Sequence, residues 1–166
     1  VLQVGAEVEG VTTGMRVTFN PTVDVTNSIG CGADQGALSD RVLVRDAARG
    51  RLFQVPDGMP LRTAALAEPL GVGMQAVNQS EARVGDKVAV FGCGPIGLMA
   101  IATLLDRGIG DVVAIDLSPA RLALAEGLGA HAALNPTETD VWAELARLHG
   151  TTPFRFGPTP ATDVFI

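Results

Sequence analysis

Three glycines, Gly92, Gly94 and Gly97, stand in the stretch VAVFGCGPIGLMA at the spacing G-x-G-x-x-G. A backbone stripped of Cβ atoms at that spacing can turn tightly and approach a pyrophosphate. Spacing alone is a weak signal, because 20 of the 166 residues are glycine. Context strengthens it: the apolar run KVAVF precedes the glycines and a helix-type run follows, inside a unit of roughly thirty residues. In such a unit Gly92 permits the turn, Gly94 lets the backbone reach phosphate, and Gly97 lets the helix pack closely on the strand. Pro95 falls where the helix begins and its missing N–H costs nothing. The free amides after it, including that of Ile96, then face the ligand with the helix dipole behind them.

A second group of residues would read the sugar. Asp116 ends the run DVVAID, nineteen residues beyond Gly97, where a carboxylate can accept from both adenosine ribose hydroxyls. A fixed negative charge there repels the extra phosphate of NADP, so NAD is the expected cofactor. Leu117 offers no donor to a phosphate. Arg121, one turn into the next helix, either reaches the ribose edge or covers apolar surface with its stem. An arginine in that neighbourhood is also how a site accommodates a 2′-phosphate, and Asp116 is expected to outweigh it.

The elements that must hold these residues follow from the pattern of the chain. Beyond Gly85 the texture alternates: KVAVFG, a helix over 95–107, DVVAID, a helix over 119–127, AHAALN, a helix over 140–149, and TDVFI. That βαβαβαβ order predicts an α/β fold with a doubly wound parallel sheet. Before it, VLQV, MRVTF, SDRVLV and RLFQV are β-type runs separated by Gly, Pro, Asn and Asp, the punctuation of a β-rich unit. The chain is expected to open in mid-pattern, since Val1 to Val4 already reads as a strand. Between 61 and 79 the residues favour helix, and Pro69 predicts two short pieces hinged at Glu68 and Pro69.

Composition excludes several classes. With 47% hydrophobic and 18% charged residues the chain is too apolar to be disordered. A net charge of −6 without a basic cluster argues against nucleic acid. No run of about 18 apolar residues exists to cross a membrane and no signal-peptide pattern opens the chain, so a cytoplasmic location is expected. Two cysteines, Cys31 and Cys93, are too few for a disulfide framework. Each reads as a small thiol. His131 is expected to begin a strand, and His149 to end a helix, where a cation favours the terminal carbonyls.

The runs ALAEPLGVGMQAV, RVGDKVAVFGCGPIGLMAIATLL and DVVAIDLSPARLALAEGLGAHAALNP resemble the middle of a zinc-dependent medium-chain alcohol dehydrogenase. The branch they are most similar to holds the sorbitol, L-idonate and threonine dehydrogenases. VLQVGAEVEGVTTGMRVTFNP and GALSDRVLV resemble segments of the same family's catalytic domain, so the likeness covers nearly the whole chain while lacking both ends of the family. It implies part of a GroES-like β-rich catalytic domain over 1–70 and the first part of a Rossmann NAD-binding domain over 71–166. The sheet order would be 3-2-1-4, with strands 5 and 6 absent. TTPFRFGPTPAT, where relatives make a shorter turn, is expected to be an irregular, solvent-facing loop. The open sheet edge is expected to aggregate or borrow from a neighbour, which fits a homo-oligomer.

The resemblance also implies the reaction. NAD would take a hydride from the carbinol carbon of a polyol, sugar alcohol or other secondary alcohol, with zinc as Lewis acid. Of the catalytic-site positions only Glu68, in AEPL, is matched, as a zinc ligand or as acceptor from metal-bound water; read from the residues alone, it is equally a helix charge on a solvated face. The family's other ligands and its four-cysteine lobe are missing, and Cys31 cannot form a tetrahedral site alone. The 166 residues by themselves are therefore expected to hold no stoichiometric zinc and to be inactive. A non-catalytic NAD-binding module and a zinc-free medium-chain reductase are the alternative readings.

Overall fold

A computed structural model describes residues 1–22, 28–30, 33, 35–47 and 50–166. Cys31 lies outside the described residues. The chain divides into two compact units, Val1–Glu68 and Pro69–Ile166.

In the first unit, strand β1 (Val17–Phe19) pairs antiparallel with β2 (Leu52–Gln54), Thr18 opposite Phe53. Ile29 and Gln35 form an isolated bridge. VLQV and SDRVLV are not strands. Alternating side chains make a strand only where a neighbour completes the ladder; Val1 donates to Met15 O at 2.7 Å and accepts from Gly14 N at 2.9 Å, but these bonds do not continue into a ladder. Among the described residues of this unit the buried charged side chain is Arg51, 1% exposed and donating to the carbonyls of Asn20 (3.1 Å), Arg45 (3.2 Å) and Pro21 (3.3 Å). Such pairing offsets the cost of removing a guanidinium from water.

Helix α1 (Leu61–Ala64) is a single turn, and α2 (Ala67–Ser80) follows after Ala65 and Leu66. The expected hinge at Glu68 and Pro69 is corrected by these bounds. Pro69 sits in the first turn of α2, where no intrahelical bond needs its N–H. The fourteen-residue helix therefore runs through it unbroken.

The second unit is built on β3 (Lys87–Phe91), β4 (Asp111–Ile115), β5 (Ala132–Leu134) and β8 (Val164–Phe165), all parallel, in the spatial order β5-β4-β3-β8. Taking β3 as strand 1, that is the expected 3-2-1-4. Both faces are covered, which is why KVAVF and DVVAI are near-continuous apolar runs. One face carries Val88, Val90, Val112 and Ala114 against Val77 of α2, Ala100, Ile101 and Leu104 of α3 (Pro95–Asp106), and Leu122 and Ala125 of α4 (Pro119–Leu128). The other carries Ala89, Val113, Ile115 and Leu134 against Leu145 of α5 (Val141–His149). Asp140 caps α5, its Oδ1 accepting from the amides of Trp142 (3.0 Å) and Ala143 (3.1 Å).

TTPFRFGPTPAT corrects another expectation. It is exposed from Thr151 to Pro158 but buried at Pro160, and it is not irregular: β6 (Thr151–Phe154) and β7 (Gly157–Pro160) form an antiparallel hairpin whose chain turns through Arg155 and Phe156, with Gly157 at φ 127°. Pro153 faces Pro158. Prolines that would break a central strand are harmless in a two-stranded ribbon, where every outer edge lies open.

His149 does end α5, but not as an exposed cation. It is 1% exposed, with Nδ1 2.7 Å from Thr162 Oγ1 and Nε2 3.4 Å from Asp111 Oδ1, an oxygen that His131 Nδ1 also meets at 2.6 Å. Burial holds its pKa below the usual 6.5, with Lys87 and His131 adding to the effect and Asp111 opposing it. His131, expected to begin a strand, stands one residue before β5.

Two measurements test this packing. A Cβ on Gly73 of α2 would stand 2.7 Å from the Ala100 nitrogen and the Met99 carbonyl carbon of α3, whereas one on Gly71 would meet nothing within 4 Å. Gly73→Ala should lower unfolding stability by about 1–3 kcal/mol through overpacking; Gly71→Ala should raise it by up to about 1 kcal/mol through helix propensity. Equal effects in denaturant titrations would contradict the close helix contact. For His149, the unfolded chain takes up a proton below pH 6.5 that the folded chain resists. Its contribution is thus present above that pH and lost as pH falls. His149→Gln should flatten the acid limb of the stability profile, and an unchanged limb would show that the imidazole is not buried neutral.

Candidate nucleotide site

The site grows from the end of β3. Phe91 is the last strand residue, and Gly92 turns the chain at φ 94°, a left-handed conformation that suits glycine. Its amide donates to Ile115 O at 2.7 Å, so the turn is tied to the end of β4. Gly94 is the N-cap of α3, and a Cβ there would meet nothing within 4 Å, leaving an open approach to its backbone. Pro95 is the first helical residue and no side chain caps the helix. The first intrahelical bond runs from Leu98 N to Gly94 O at 2.9 Å. The amides of Ile96 and Gly97 precede it and have no carbonyl one turn back within the helix. A Cβ on Gly97 would fall 1.7 Å from Gly92 O. The third glycine thus serves a contact more specific than strand packing, since the helix lies directly on the carbonyl of the turn.

Asp116 follows β4 and is 9% exposed. Its Oδ1 accepts from Ser118 N and its Oδ2 from Cys93 N, both at 2.7 Å, while Arg121 Nη1 stands 3.7 Å from Oδ2. The Ser118 amide first, then the Cys93 amide and Arg121, hold this carboxyl below the usual carboxylate range against the opposing effect of burial. A carboxylate has about four acceptor positions, and two amides leave capacity for hydroxyls. Cys93 is fully buried, and burial, reinforced by the Asp116 charge, pushes its thiol up to about 11. It is a small packed residue and not a nucleophile.

Around Asp116 lies an open cleft of about 530 Å³ that also has Phe91, Gly92, Ile115, Leu117, Ser118, Arg121 and Pro136 in its walls. That volume falls in the range of small-ligand sites. The structure therefore gathers Gly92, Asp116, Leu117 and Arg121 in one cleft, with Gly94, Pro95, Ile96 and Gly97 at the adjoining helix start. Phe91, Ser118 and Pro136 were not singled out in the sequence. Pro136 had one available signal, its place just past the third strand of the alternating pattern, since ligands gather at strand ends in such sheets.

Glu68 is not among the residues that line this cleft; it is exposed, in the first turn of α2. Among the described residues no group of three or more His, Cys, Asp or Glu side chains could hold a metal ion. The described residues therefore do not by themselves make a zinc site. Nor is any helix among the described residues long and apolar enough to cross a membrane.

A parallel sheet of order 3-2-1-4 with a glycine turn, a helix N-terminus and an acidic residue past the second strand defines a Rossmann-like fold. Comparison with known proteins narrows this. Residues 95–156 match the zinc-binding dehydrogenase family model. The (R,R)-butanediol dehydrogenase of Bacillus subtilis (strain 168) is 37% identical over 163 residues, 90% of this chain and 46% of that protein. The sorbitol dehydrogenase of the same strain is 37% identical over 94 residues, 57% of this chain and 27% of that protein. A protein of Sinorhizobium meliloti 1021 assigned to the zinc-binding dehydrogenases, with NADP bound, superposes with a TM-score of 0.74 at 25% identity, over 85% of this chain and 45% of its own. Residues 95–156 thus form a zinc-binding dehydrogenase family domain, and the chain's relatives are dehydrogenases of the zinc-dependent medium-chain superfamily. It spans about half the length of the butanediol dehydrogenase it matches.

Proposed function

We propose that this chain carries the adenosine and pyrophosphate half of the cofactor site of an NAD-dependent dehydrogenase, which when whole oxidises a polyol, sugar alcohol or other secondary alcohol. The observation that carries the reading is the contact of Gly97 with the Gly92 carbonyl, which sets the open amides of α3 beside the ionised Asp116. Bound NAD would supply the acceptor for a hydride. The chain's own residues would bind and orient it: the amides of Ile96 and Gly97 hold pyrophosphate, Gly94 admits it, and Pro95 fixes the first helical turn without covering it. Asp116 accepts from the ribose hydroxyls, and Leu117 forms an apolar wall for the base. Arg121, 56% exposed, balances the Asp116 charge from solvent.

The polyol and secondary-alcohol substrate class is supported by kinship to the butanediol and sorbitol dehydrogenases. Glu68 belongs to the same proposal as the residue this chain would bring to a catalytic zinc, its position in AEPL being the support, with the remaining ligands supplied from outside the described residues. The domain division proposed with it is a GroES-like catalytic part over 1–70 and the NAD-binding part over 71–166. A cytoplasmic location is supported by the use of only two cysteines in the chain. Homo-oligomeric assembly is supported by the outer edge of β8, unpaired among the described residues.

The NADP held by the Sinorhizobium meliloti protein makes cofactor choice the sharpest test. Calorimetric titration of this chain with NAD and NADP in parallel should show NAD binding about ten- to a hundredfold tighter, the worth of one charge-assisted hydrogen bond. Equal affinities, or a preference for NADP, would remove Asp116 as the ribose anchor.

A further inference from the structure

Asn135 is a buried polar residue that the nucleotide reading above leaves without a task. It follows β5 directly and is 7% exposed, so each polar atom of its amide must find a partner. Its Oδ1 accepts from the Thr137 amide at 3.0 Å and from Thr137 Oγ1 at 2.8 Å, which folds the loop after β5 into a side-chain-closed turn. Its Nδ2 donates to Glu138 Oε1 at 3.1 Å and, at 3.5 Å, to the carbonyl of Leu117 in the loop after β4. The backbone carbonyl of Asn135 accepts from the amides of Glu138 (3.0 Å) and Thr139 (3.1 Å), so the turn is closed on both sides.

The two loops joined in this way face each other across the cleft. Leu117 and Ser118 come from one, and Pro136, next to Asn135, comes from the other. Beneath the side-chain link, Asp116 N donates to Leu134 O at 3.2 Å, continuing the ladder in which Ile115 pairs with Leu134. We propose that Asn135 is a positioning residue that sets the spacing between Leu117 and Pro136, and so the fit of the purine end of an adenine nucleotide. This inference rests on the nucleotide reading and deepens it. The residue touches no ligand itself; its effect passes through the Leu117 carbonyl. Because that link is long, its loss costs a modest factor in affinity and leaves the sheet in place.

Asparagine can be replaced so as to separate the two tasks of its amide. Asn135→Asp keeps an oxygen for Thr137 but puts a second oxygen where Nδ2 stood, against the Leu117 carbonyl and the Glu138 carboxylate. Glu138→Ala removes one Nδ2 partner and leaves the Leu117 link intact. Titrating 5′-AMP and NAD into the wild-type chain and both variants, with circular-dichroism melts alongside, should show Asn135→Asp weakening both ligands by a similar factor, about three- to tenfold. Glu138→Ala should stay within about twofold of wild type, the scale expected of an exposed contact. Wild-type AMP affinity in Asn135→Asp, a loss for NAD but not AMP, or an equal loss in Glu138→Ala would overturn the proposal. Failure of the wild-type chain to bind either ligand would overturn the nucleotide reading itself, and this inference with it. Should Asn135→Asp not fold, hydrogen exchange of the wild type decides: AMP should slow the amides of both 116–118 and 137–139, and slowing confined to 116–118 would overturn the role given to Asn135.

Discussion

The second unit turns on an approach that only a missing side chain permits. The position a Cβ would take on Gly97 lies 1.7 Å from the Gly92 carbonyl oxygen, a distance no real atom pair tolerates. With hydrogen in that place, α3 rests on the turn that leaves β3, and the direction of the helix is set by backbone against backbone. The packing of Ala100, Ile101 and Leu104 over Val88 and Val90 continues the same placement inward. Its outer consequence is a helix start with uncapped amides at the end of the sheet.

Asp116 ties this turn to the neighbouring strand. One oxygen holds the Cys93 amide inside the glycine turn and the other holds the Ser118 amide at the start of α4. A carboxylate read from the sequence as a ligand for ribose is thus also a clamp between two loops, and the amides that fix it also keep it ionised. Burial of Cys93 fits the same economy, since a larger side chain between the glycines would have to displace the contact with Asp116 or the strand beneath it.

The parallel sheet was legible because its strands and helices are short, local and apolar at the right periods. KVAVF and DVVAI announce strands buried on two faces, and the glycines and Pro95 mark where the first helix must start. The first unit was less legible. VLQV and SDRVLV alternate like strands, yet a strand exists only through its partner, and no local pattern reports whether one is present. Pro69 misled for a different reason: its effect depends on whether it falls in the first turn or the interior of a helix, and the boundary is set by Ala65 and Leu66, which carry no strong signal. The hairpin in TTPFRFGPTPAT was hidden by prolines that a two-stranded ribbon tolerates. Within the site, Gly92, Asp116, Leu117 and Arg121 were legible from spacing. The link from Asn135 to Leu117 was not, because it joins loops that meet only after the sheet has formed.

On the proposed function, the open amides at the start of α3 receive the pyrophosphate of an adenine nucleotide. Adding ADP to the isotopically labelled chain and following backbone amide resonances tests it directly. The largest shifts are expected at Ile96, Gly97 and Leu98, with a second set at 116–121. Shifts absent from 94–98, or concentrated in residues 1–68, would contradict it.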